Sequence, residues 1–86
     1  MYDWSTVPEY MHDGLERYVK QGIRPGEFLY AVLTNNFREA VCKADDQNFN
    51  HIKSWALLPY WEMMEEMYGS VEKVEAWIKT GGLRGR

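Results

Sequence analysis

Cysteine, histidine and long uncharged runs are scarce in this chain of 86 residues, and each scarcity excludes a class of protein. The single cysteine, Cys42, has no partner for an internal disulfide, which suits a reducing compartment. The longest uncharged runs, residues 28–37 and 54–61, fall well short of the roughly 20 residues of a membrane-spanning helix. The first residues lack the basic and apolar regions of a signal peptide. We therefore expect a soluble intracellular protein that does not bind membranes.

Catalytic and metal-binding patterns are equally sparse. The sequence has no glycine-rich phosphate loop, no zinc-protease histidine pair and no paired-cysteine spacing. Cys42 and His51 are the residue types of a nucleophile pair, but no third group orients them and nothing supplies an oxyanion hole. Because Cys42 adjoins the inward face of a predicted helix, we expect it to be a small buried hydrophobic residue. The sequence predicts a protein that is not an enzyme and has no catalytic residues, metal or cofactor.

Positive charge is not concentrated anywhere except at the C-terminus. Ten Lys and Arg residues stand against 13 Asp and Glu, giving a net charge of −3 and a pI near 5.3. A duplex-binding domain usually carries a basic face. Here the basic residues are scattered along the chain, and only residues 83–86 are locally basic. We therefore expect no binding to duplex nucleic acid.

Apolar residues recur at three- and four-residue steps, a spacing typical of amphipathic helices. Glycines, Pro25 and capping residues interrupt the pattern at intervals. The spacing predicts helices over residues 8–21, 26–34, 37–44, 46–67 and 71–79, the fourth with a kink or break at Pro59. The sequence thus predicts an all-α fold, a compact bundle of four to five short helices. We expect residues 1–86 to form one domain, with the core in 7–82 and a flexible basic tail at 83–86.

Amide and carboxylate side chains surround the short third helix. Asn35 and Asn36 precede it, and Asp45 and Asn48 follow it. A helix of this length spans only about 12 Å, so these groups could line one region. Amides offer both donors and acceptors and suit base edges and ribose hydroxyls. The alternative is that these side chains serve only as helix caps.

Aromatic residues are abundant for so small a domain. Thirteen of them occur among the 86 residues, more than such a core can hide. Exposed aromatic faces suit nucleobase stacking or a protein interface, and they can also form the core of an oligomer. We therefore expect an even-numbered homo-oligomer. Seven aromatic residues are candidates for partial exposure: Tyr2, Trp4, Tyr10, Tyr30, Tyr60, Trp61 and Tyr68.

A longer pattern resembles a family of small, poorly characterised accessory proteins of tailed phages and prophages. It covers nearly the whole chain, including Gly22, Pro25-Gly26, Phe28-Leu29, Ala44-Asp45, Asn48, Gly69-Ser70, Trp77-Ile78 and Gly81-Gly82. The resemblance implies a phage accessory protein that acts in the host cytoplasm. It does not imply a particular activity.

Small phage accessory proteins of this kind often counter host defence by binding, and two modes fit the sequence. One is a sponge that sequesters a nucleotide-type immune signal; the other is an inhibitor that occludes a host defence protein. A structural or assembly protein of the virion is a third possibility. For the sponge, the expected ligand-binding residues are Asn35, Asn36, Asp45 and Asn48 for base or ribose edges, Arg24 and Arg38 for phosphate, and Tyr30 or Trp61 for stacking.

Overall fold

The computed structural model describes residues 2–85, which fold into helices and short connections. The α-helices in chain order are α1 His12–Gln21, α2 Glu27–Leu33, α3 Phe37–Lys43, α4 Asp46–Asn50, α5 Ile52–Glu62 and α6 Val71–Thr80. Turns of 3-10 helix lie at Glu9–Met11, Glu65–Met67 and Gly82–Gly85. No strand occurs in this part of the chain, and the predicted all-α fold is confirmed.

Helices begin and end where the sequence carries capping residues. The side chains of Asn36, Asp45 and Ser70 each accept a hydrogen bond from the backbone N–H three residues ahead, at 3.2, 2.7 and 3.2 Å. Gly22 and Gly81 end α1 and α6 in the left-handed region, with φ of 65° and 84°. A side chain disfavours that conformation, so glycine is the usual residue there. These local signals explain why the predicted bounds of α2, α3 and α6 agree with the structure to within one residue.

The core is built around Tyr18 of α1 and Trp55 of α5, both of which are fully buried. The Tyr18 hydroxyl donates to the carbonyl of Met67 at 2.6 Å, and the Tyr18 carbonyl accepts from Trp77 Nε1 at 2.9 Å. The Trp55 ring meets Phe28 edge to face, with centroids 5.3 Å apart. Other fully buried side chains come from three different helices, α1, α2 and α6: Leu15, Val19, Leu33 and Val74.

The predicted fourth helix is divided, and not where expected. The break falls at His51, between α4 and α5, whereas α5 continues through Pro59. His51 has φ of −112° and ψ of 23°, and its Nδ1 lies 2.8 Å from the carbonyl oxygen of Gln47. Pro59 removes one backbone hydrogen bond from the helix, but the residue is buried and its carbonyl accepts from Met63 N–H at 2.9 Å. Tertiary packing therefore outweighs the local effect of the proline.

The expectation that Cys42 is buried was wrong, because the residue is exposed. On α3 the core contact comes from Ala40, which is 4% exposed, and successive helical residues turn by about 100°. Cys42 therefore lies on the outer side of the same helix. Phe37 is apolar, yet it is the first residue of α3 and is 71% exposed. Helical side chains lean toward the N-terminus, so the Phe37 ring lies beyond the end of the packed surface.

The C-terminal turn lies against the first helix. The 3-10 turn Gly82–Gly85 contacts α1, and Gly82 is buried there. The predicted flexible tail begins inside this turn and ends at Arg86, which lies outside the described residues. Its flexibility stays a prediction.

Six of the seven aromatic residues expected to be partly exposed are at least partly exposed, and Trp4 is the exception. Trp4 is only 6% exposed, whereas Tyr10 is 53% exposed and Tyr60 and Trp61 are each 68% exposed. Trp4 is buried because its ring stacks on Tyr2, with centroids 5.3 Å apart, and its indole N–H donates to Glu16. Among residues 2–85, no helix is both long and apolar enough to cross a bilayer.

Candidate ligand clefts

Two adjoining clefts lie where α1, α2 and α3 meet the loop before α2. The first, of about 420 Å³, is lined by residues of α1, of that loop and of the ends of α3 and α4. The second, of about 360 Å³, is lined by α2, α3 and the first residue of α6. Arg24, Pro25, Glu27 and Lys43 line both clefts and form the ridge between them. Both volumes fall in the range of small-molecule sites, about 300–1,000 Å³.

Five of the eight expected ligand-binding residues line these clefts. Asp45 and Asn48 border the first, Tyr30 and Asn36 border the second, and Arg24 borders both. These residues come from four separate segments of the chain, so their proximity is a product of the tertiary fold. The polar residues around α3 are thus divided between two neighbouring clefts.

Arg24 stands at the centre of a compact charged cluster. Its Nη2 lies 2.8 Å from Oε1 of Glu75, and its Cζ lies 5.2 Å from the ring centroid of Tyr30. The Tyr30 hydroxyl donates to Glu75 Oε2 at 2.5 Å. The Tyr30 hydroxyl and the Arg24 guanidinium together hold the pKa of Glu75 below its ordinary value. Glu75 thus accepts hydrogen bonds from both Arg24 and Tyr30 and fixes these two side chains relative to each other.

Lys43 and Arg17 add positive charge to the first cleft. Lys43 Nζ lies 3.6 Å from Glu27 Oε2, a long and exposed ion pair. Within residues 2–85, no carboxylate lies within ion-pairing distance of the Arg17 guanidinium. Together with Arg24, these residues place three cations around one cleft.

Tyr10 and Asp45 are joined across the mouth of the first cleft. The Tyr10 hydroxyl donates to Asp45 Oδ2, while Asp45 Oδ1 accepts from the N–H of Asn48 at 2.7 Å. Hydrogen bonds from Tyr10 and from Asn48 N–H lower the pKa of Asp45. The same bond to Asp45 raises the pKa of Tyr10 to about 12. Asp45 is thus both the cap of α4 and a fixed negative group at the cleft.

Two of the expected ligand contacts already have internal partners. Asn48 is 3% exposed, and its Oδ1 accepts from Trp55 Nε1 at 3.0 Å. Asn36 Oδ1 accepts from the N–H of Glu39 as the cap of α3. The side-chain oxygens of Asn36, Asp45 and Asn48 therefore all have partners within the protein, as the alternative of helix caps and internal supports predicts.

Three expected residues lie away from the two clefts. Asn35 occupies the left-handed turn between α2 and α3, with φ of 64°. Arg38 is exposed and lines neither cleft, because five residues separate it from Lys43, about 140° around the helix axis. Trp61 borders a separate cleft of about 220 Å³ between α5 and the N-terminal segment. None of these three lines either of the two clefts that share Arg24 and Lys43.

Lys43, Arg17 and Tyr10 line the first cleft but were not among the expected residues. A sequence signal for two of them existed. Tyr10, Gly14 and Arg17 follow one another at steps of four and three residues, which places them on one face of a helix. Gly14 has no side chain, so that face carries a depression between Tyr10 and Arg17.

The charged groups of the clefts are cations and carboxylates, and Arg24 and Lys43 are held in exposed ion pairs. No cluster of three or more His, Cys, Asp or Glu side chains that could hold a metal ion occurs in the described part of the chain. No protein-family profile, curated protein or solved structure matches this chain.

Proposed function

We propose that the chain is a non-enzymatic binding protein for a small nucleotide-type ligand, held in the two clefts that share Arg24 and Lys43. One observation carries the proposal: three cations and two tyrosines from separate segments border adjoining clefts of about 420 and 360 Å³. A nucleotide has the matching chemistry, with anionic phosphates and a flat base.

The phosphates would bind at the ridge between the clefts. Arg24 and Lys43 are engaged by Glu75 and Glu27, but both pairs are exposed to solvent. Exposed ion pairs contribute only about 0–1 kcal/mol, so replacing a carboxylate by a phosphate costs little. Arg17 has no carboxylate partner among residues 2–85, so it can bind a phosphate without first releasing a carboxylate. Charge-assisted hydrogen bonds from such groups contribute about 1.5–3 kcal/mol each.

The base would stack on Tyr10. Its ring is 53% exposed and its hydroxyl is fixed by Asp45, so the ring is held in place without being covered. Tyr30 is a weaker platform because Arg24 already lies over its ring. Stacking contributes about 1–3 kcal/mol per base. Stacking together with two or three charged contacts is enough for sub-micromolar affinity, about −8 kcal/mol.

The resemblance to phage accessory proteins supplies the biological setting. In that setting the protein acts in the host cytoplasm and counters anti-phage defence by sequestering a nucleotide-type immune signal. Such a role needs affinity and no turnover. It is compatible with the binding character of the clefts.

The exposed aromatic surface supports a second candidate function, the occlusion of a host defence protein. Tyr60 and Trp61 are each 68% exposed, and three acidic residues, Glu62, Glu65 and Glu66, follow them in sequence. Aromatic residues surrounded by polar groups are common at protein interfaces. This candidate predicts a stoichiometric protein complex and no bound small molecule.

The test is isothermal titration calorimetry against a panel of cyclic dinucleotides, cyclic oligonucleotides and cyclic ADP-ribose isomers. We expect sub-micromolar binding of at least one member. Lys43→Gln and Arg24→Gln are each expected to weaken it more than tenfold. Tyr10→Ala should weaken it more than Tyr10→Phe does, because the phenylalanine ring still stacks.

Two variants serve as matched controls. Lys79→Gln removes an exposed lysine near the end of α6, and Arg38→Gln removes the arginine of α3 that lines neither cleft. Both should bind within twofold of the unchanged protein. Failure of every panel member to bind, together with recovery of a defence protein in stoichiometric amounts from infected cells, would establish the second candidate instead.

A further inference from the structure

The cleft beside Trp61 has an apolar floor and one acidic end. Its volume is about 220 Å³, and Asp3 and Thr6 line it from the N-terminal segment. The residues that line it from α5 recur at three- and four-residue steps and so share one side of the helix: Ser54, Leu57, Leu58, Trp61 and Glu62. Leu58 is 3% exposed and forms the floor. No lysine, arginine or histidine among residues 2–85 lines this cleft.

Two carboxylates lie at one end of the cleft. Glu62 is the last residue of α5, and its Oε1 accepts a hydrogen bond from Asp3 N–H at 2.9 Å, which brings Asp3 to the end of the helix. Hydrogen bonds from the side chain and the backbone of Ser5 lower the pKa of Asp3, so its carboxylate is ionised at neutral pH. Neither Asp3 nor Glu62 forms an ion pair with a lysine or arginine among residues 2–85.

The acidic end of the cleft coincides with the C-terminal end of α5. The last carbonyl groups of a helix carry partial negative charge, which favours cations and disfavours carboxylates nearby. Asp3 and Glu62 therefore add two negative charges where the helix already disfavours them. A bound cation relieves this repulsion, so the electrostatics of the cleft select a positively charged ligand.

Trp61 gives the cleft an aromatic wall that is open to solvent. Its side chain is 68% exposed, and the Tyr60 ring meets it edge to face with centroids 5.2 Å apart. The indole N–H groups of Trp4, Trp55 and Trp77 each donate to a partner inside the protein, whereas that of Trp61 has no acceptor among residues 2–85. A cation binds better over the face of an indole than over the rings of tyrosine or phenylalanine.

Ser54 supplies a hydroxyl group toward the other end of the cleft. It lies eight residues before Glu62, about 12 Å along the helix axis. Its side chain is half-buried, and its hydroxyl forms no hydrogen bond within residues 2–85. A ligand that uses both ends of the cleft therefore needs a hydrogen-bond donor at each end and an apolar chain between them.

We propose that this cleft binds a short aliphatic diamine, protonated at both nitrogens. One ammonium group donates hydrogen bonds to the carboxylates of Asp3 and Glu62 and lies against the Trp61 ring. The alkyl chain packs on Leu58, and the second ammonium group donates to the hydroxyl oxygen of Ser54. The cleft is smaller than the sites of drug-sized ligands, about 300–1,000 Å³, which suits a molecule of this size.

The chemistry of the cleft separates a diamine from related ligands. Its carboxylates repel anions. A quaternary ammonium has no N–H to donate, whereas each primary ammonium has three. A lysine side chain of a partner protein has a single ammonium group and leaves the hydroxyl end unused. The cleft shares no lining residue with the two clefts proposed for the nucleotide, so either proposal can fail without the other.

Proton–nitrogen NMR of the full chain, titrated with cadaverine to about 20 mM, tests the site. We expect the indole N–H signal of Trp61 to move to saturation with a dissociation constant of about 1 mM or below. The indole signals of Trp55 and Trp77, whose N–H groups are bonded inside the protein, should not move. The uncharged analogue 1,5-pentanediol should produce no saturable shift. n-Pentylamine, which has one ammonium group, should bind at least threefold more weakly than cadaverine.

Glu62→Gln should raise the dissociation constant for cadaverine more than tenfold. The glutamine oxygen can still accept the bond from Asp3 N–H, so the local structure is retained. Glu65→Gln is the matched control, because Glu65 is an exposed glutamate that does not line the cleft, and it should bind within twofold of the unchanged protein. Trp61→Leu, followed through the backbone signal of Glu62, should weaken binding more than Trp61→Phe, which keeps an aromatic face.

The absence of a saturable shift with cadaverine would overturn the proposal. So would an equal response to pentanediol or n-pentylamine. Equal weakening by Glu62→Gln and Glu65→Gln would also overturn it, because it would show a general attraction to an acidic surface. A lysine derivative blocked at its α-amino and carboxyl groups that binds more tightly than cadaverine would assign the cleft to a lysine side chain of a partner protein instead.

Discussion

Gly22 and Gly82 lie so close together that neither position can carry a side chain. A Cβ on Gly82 would lie 2.5 Å from the backbone nitrogen of Gly22, and one on Gly22 would lie 2.6 Å from the nitrogen of Gly82. Both residues have left-handed φ, 65° and 70°. Together they form the contact through which the C-terminal 3-10 turn packs on the end of α1.

Gly82→Ala should therefore destabilise the protein by at least about 2 kcal/mol, since the left-handed conformation alone costs about 1–2 kcal/mol and the overlap is with backbone atoms. Urea denaturation followed by circular dichroism measures the free energy of unfolding. Gly14→Ala is the control: Gly14 lies inside α1 with no atom within 4 Å of an added Cβ. That variant should gain about 0.5–1 kcal/mol. Equal effects of the two substitutions would contradict the packing argument.

Asn48→Ala should lower the free energy of unfolding by about 1–3 kcal/mol whether or not a ligand is present. The substitution leaves the buried N–H of Trp55 without its acceptor, the side-chain oxygen of Asn48. Thermal or urea denaturation in buffer without nucleotide measures the loss. Asn50→Ala, an exposed position at the end of α4, should change stability by less than about 0.5 kcal/mol. An Asn48→Ala protein as stable as the unchanged chain would remove the supporting role given to Asn48.

The Tyr10–Asp45 hydrogen bond should make stability depend on pH at both extremes. The pKa of Asp45 is lowered in the folded protein. The ionised carboxylate therefore adds to the free energy of unfolding above its unfolded pKa, and this stabilisation is lost as pH falls through the folded pKa. The pKa of Tyr10 is raised to about 12. The protonated hydroxyl therefore adds to the free energy of unfolding below its unfolded pKa, and this stabilisation is lost as pH rises toward 12.

Tyr10→Phe should raise the pKa of Asp45, because the largest cause of its lowering is the Tyr10 hydroxyl. Carbon-detected NMR titration of the Asp45 carboxyl measures this shift directly. Tyr60→Phe removes an exposed hydroxyl from another helix and should leave the Asp45 titration unchanged. A curve for Tyr10→Phe that overlays that of the unchanged protein would show that the bond does not hold in solution.

Cys42 should react with a thiol reagent in the native protein. Because the residue is exposed on α3, labelling with 5,5′-dithiobis(2-nitrobenzoate) should proceed within about tenfold of its rate in denaturant. Cys42→Ser should change the free energy of unfolding by less than about 0.5 kcal/mol. A native thiol protected more than a hundredfold would instead place Cys42 in the core.

Local sequence signals predicted the helix ends that depend on contacts within a few residues of the chain. Asn36, Asp45 and Ser70 cap their helices through bonds to backbone groups three residues away, and Gly22 and Gly81 end helices by their own conformational freedom. Such signals act before any tertiary contact forms. They explain why the all-α fold and most helix ends could be predicted.

The candidate site could be predicted only in part, because its residues meet through long-range packing. Arg24, Tyr30 and Asp45 were expected, but the bond from Tyr10 to Asp45 spans 35 positions and that from Tyr30 to Glu75 spans 45. No periodicity within one helix indicates such partners. Lys43 was missed for the same reason: its place on the ridge depends on how α3 lies against the loop before α2.

The sequence by itself determined the helical segments, their caps and the surplus of aromatic residues, because each depends on residue type and spacing along one stretch of chain. The tertiary structure decided that Cys42 and Phe37 are exposed, that Trp4 is buried, and that the helix passes through Pro59 and breaks at His51. Residue type and spacing along one stretch of chain do not decide these outcomes. They rest on burial and hydrogen bonds supplied by residues far away in the sequence.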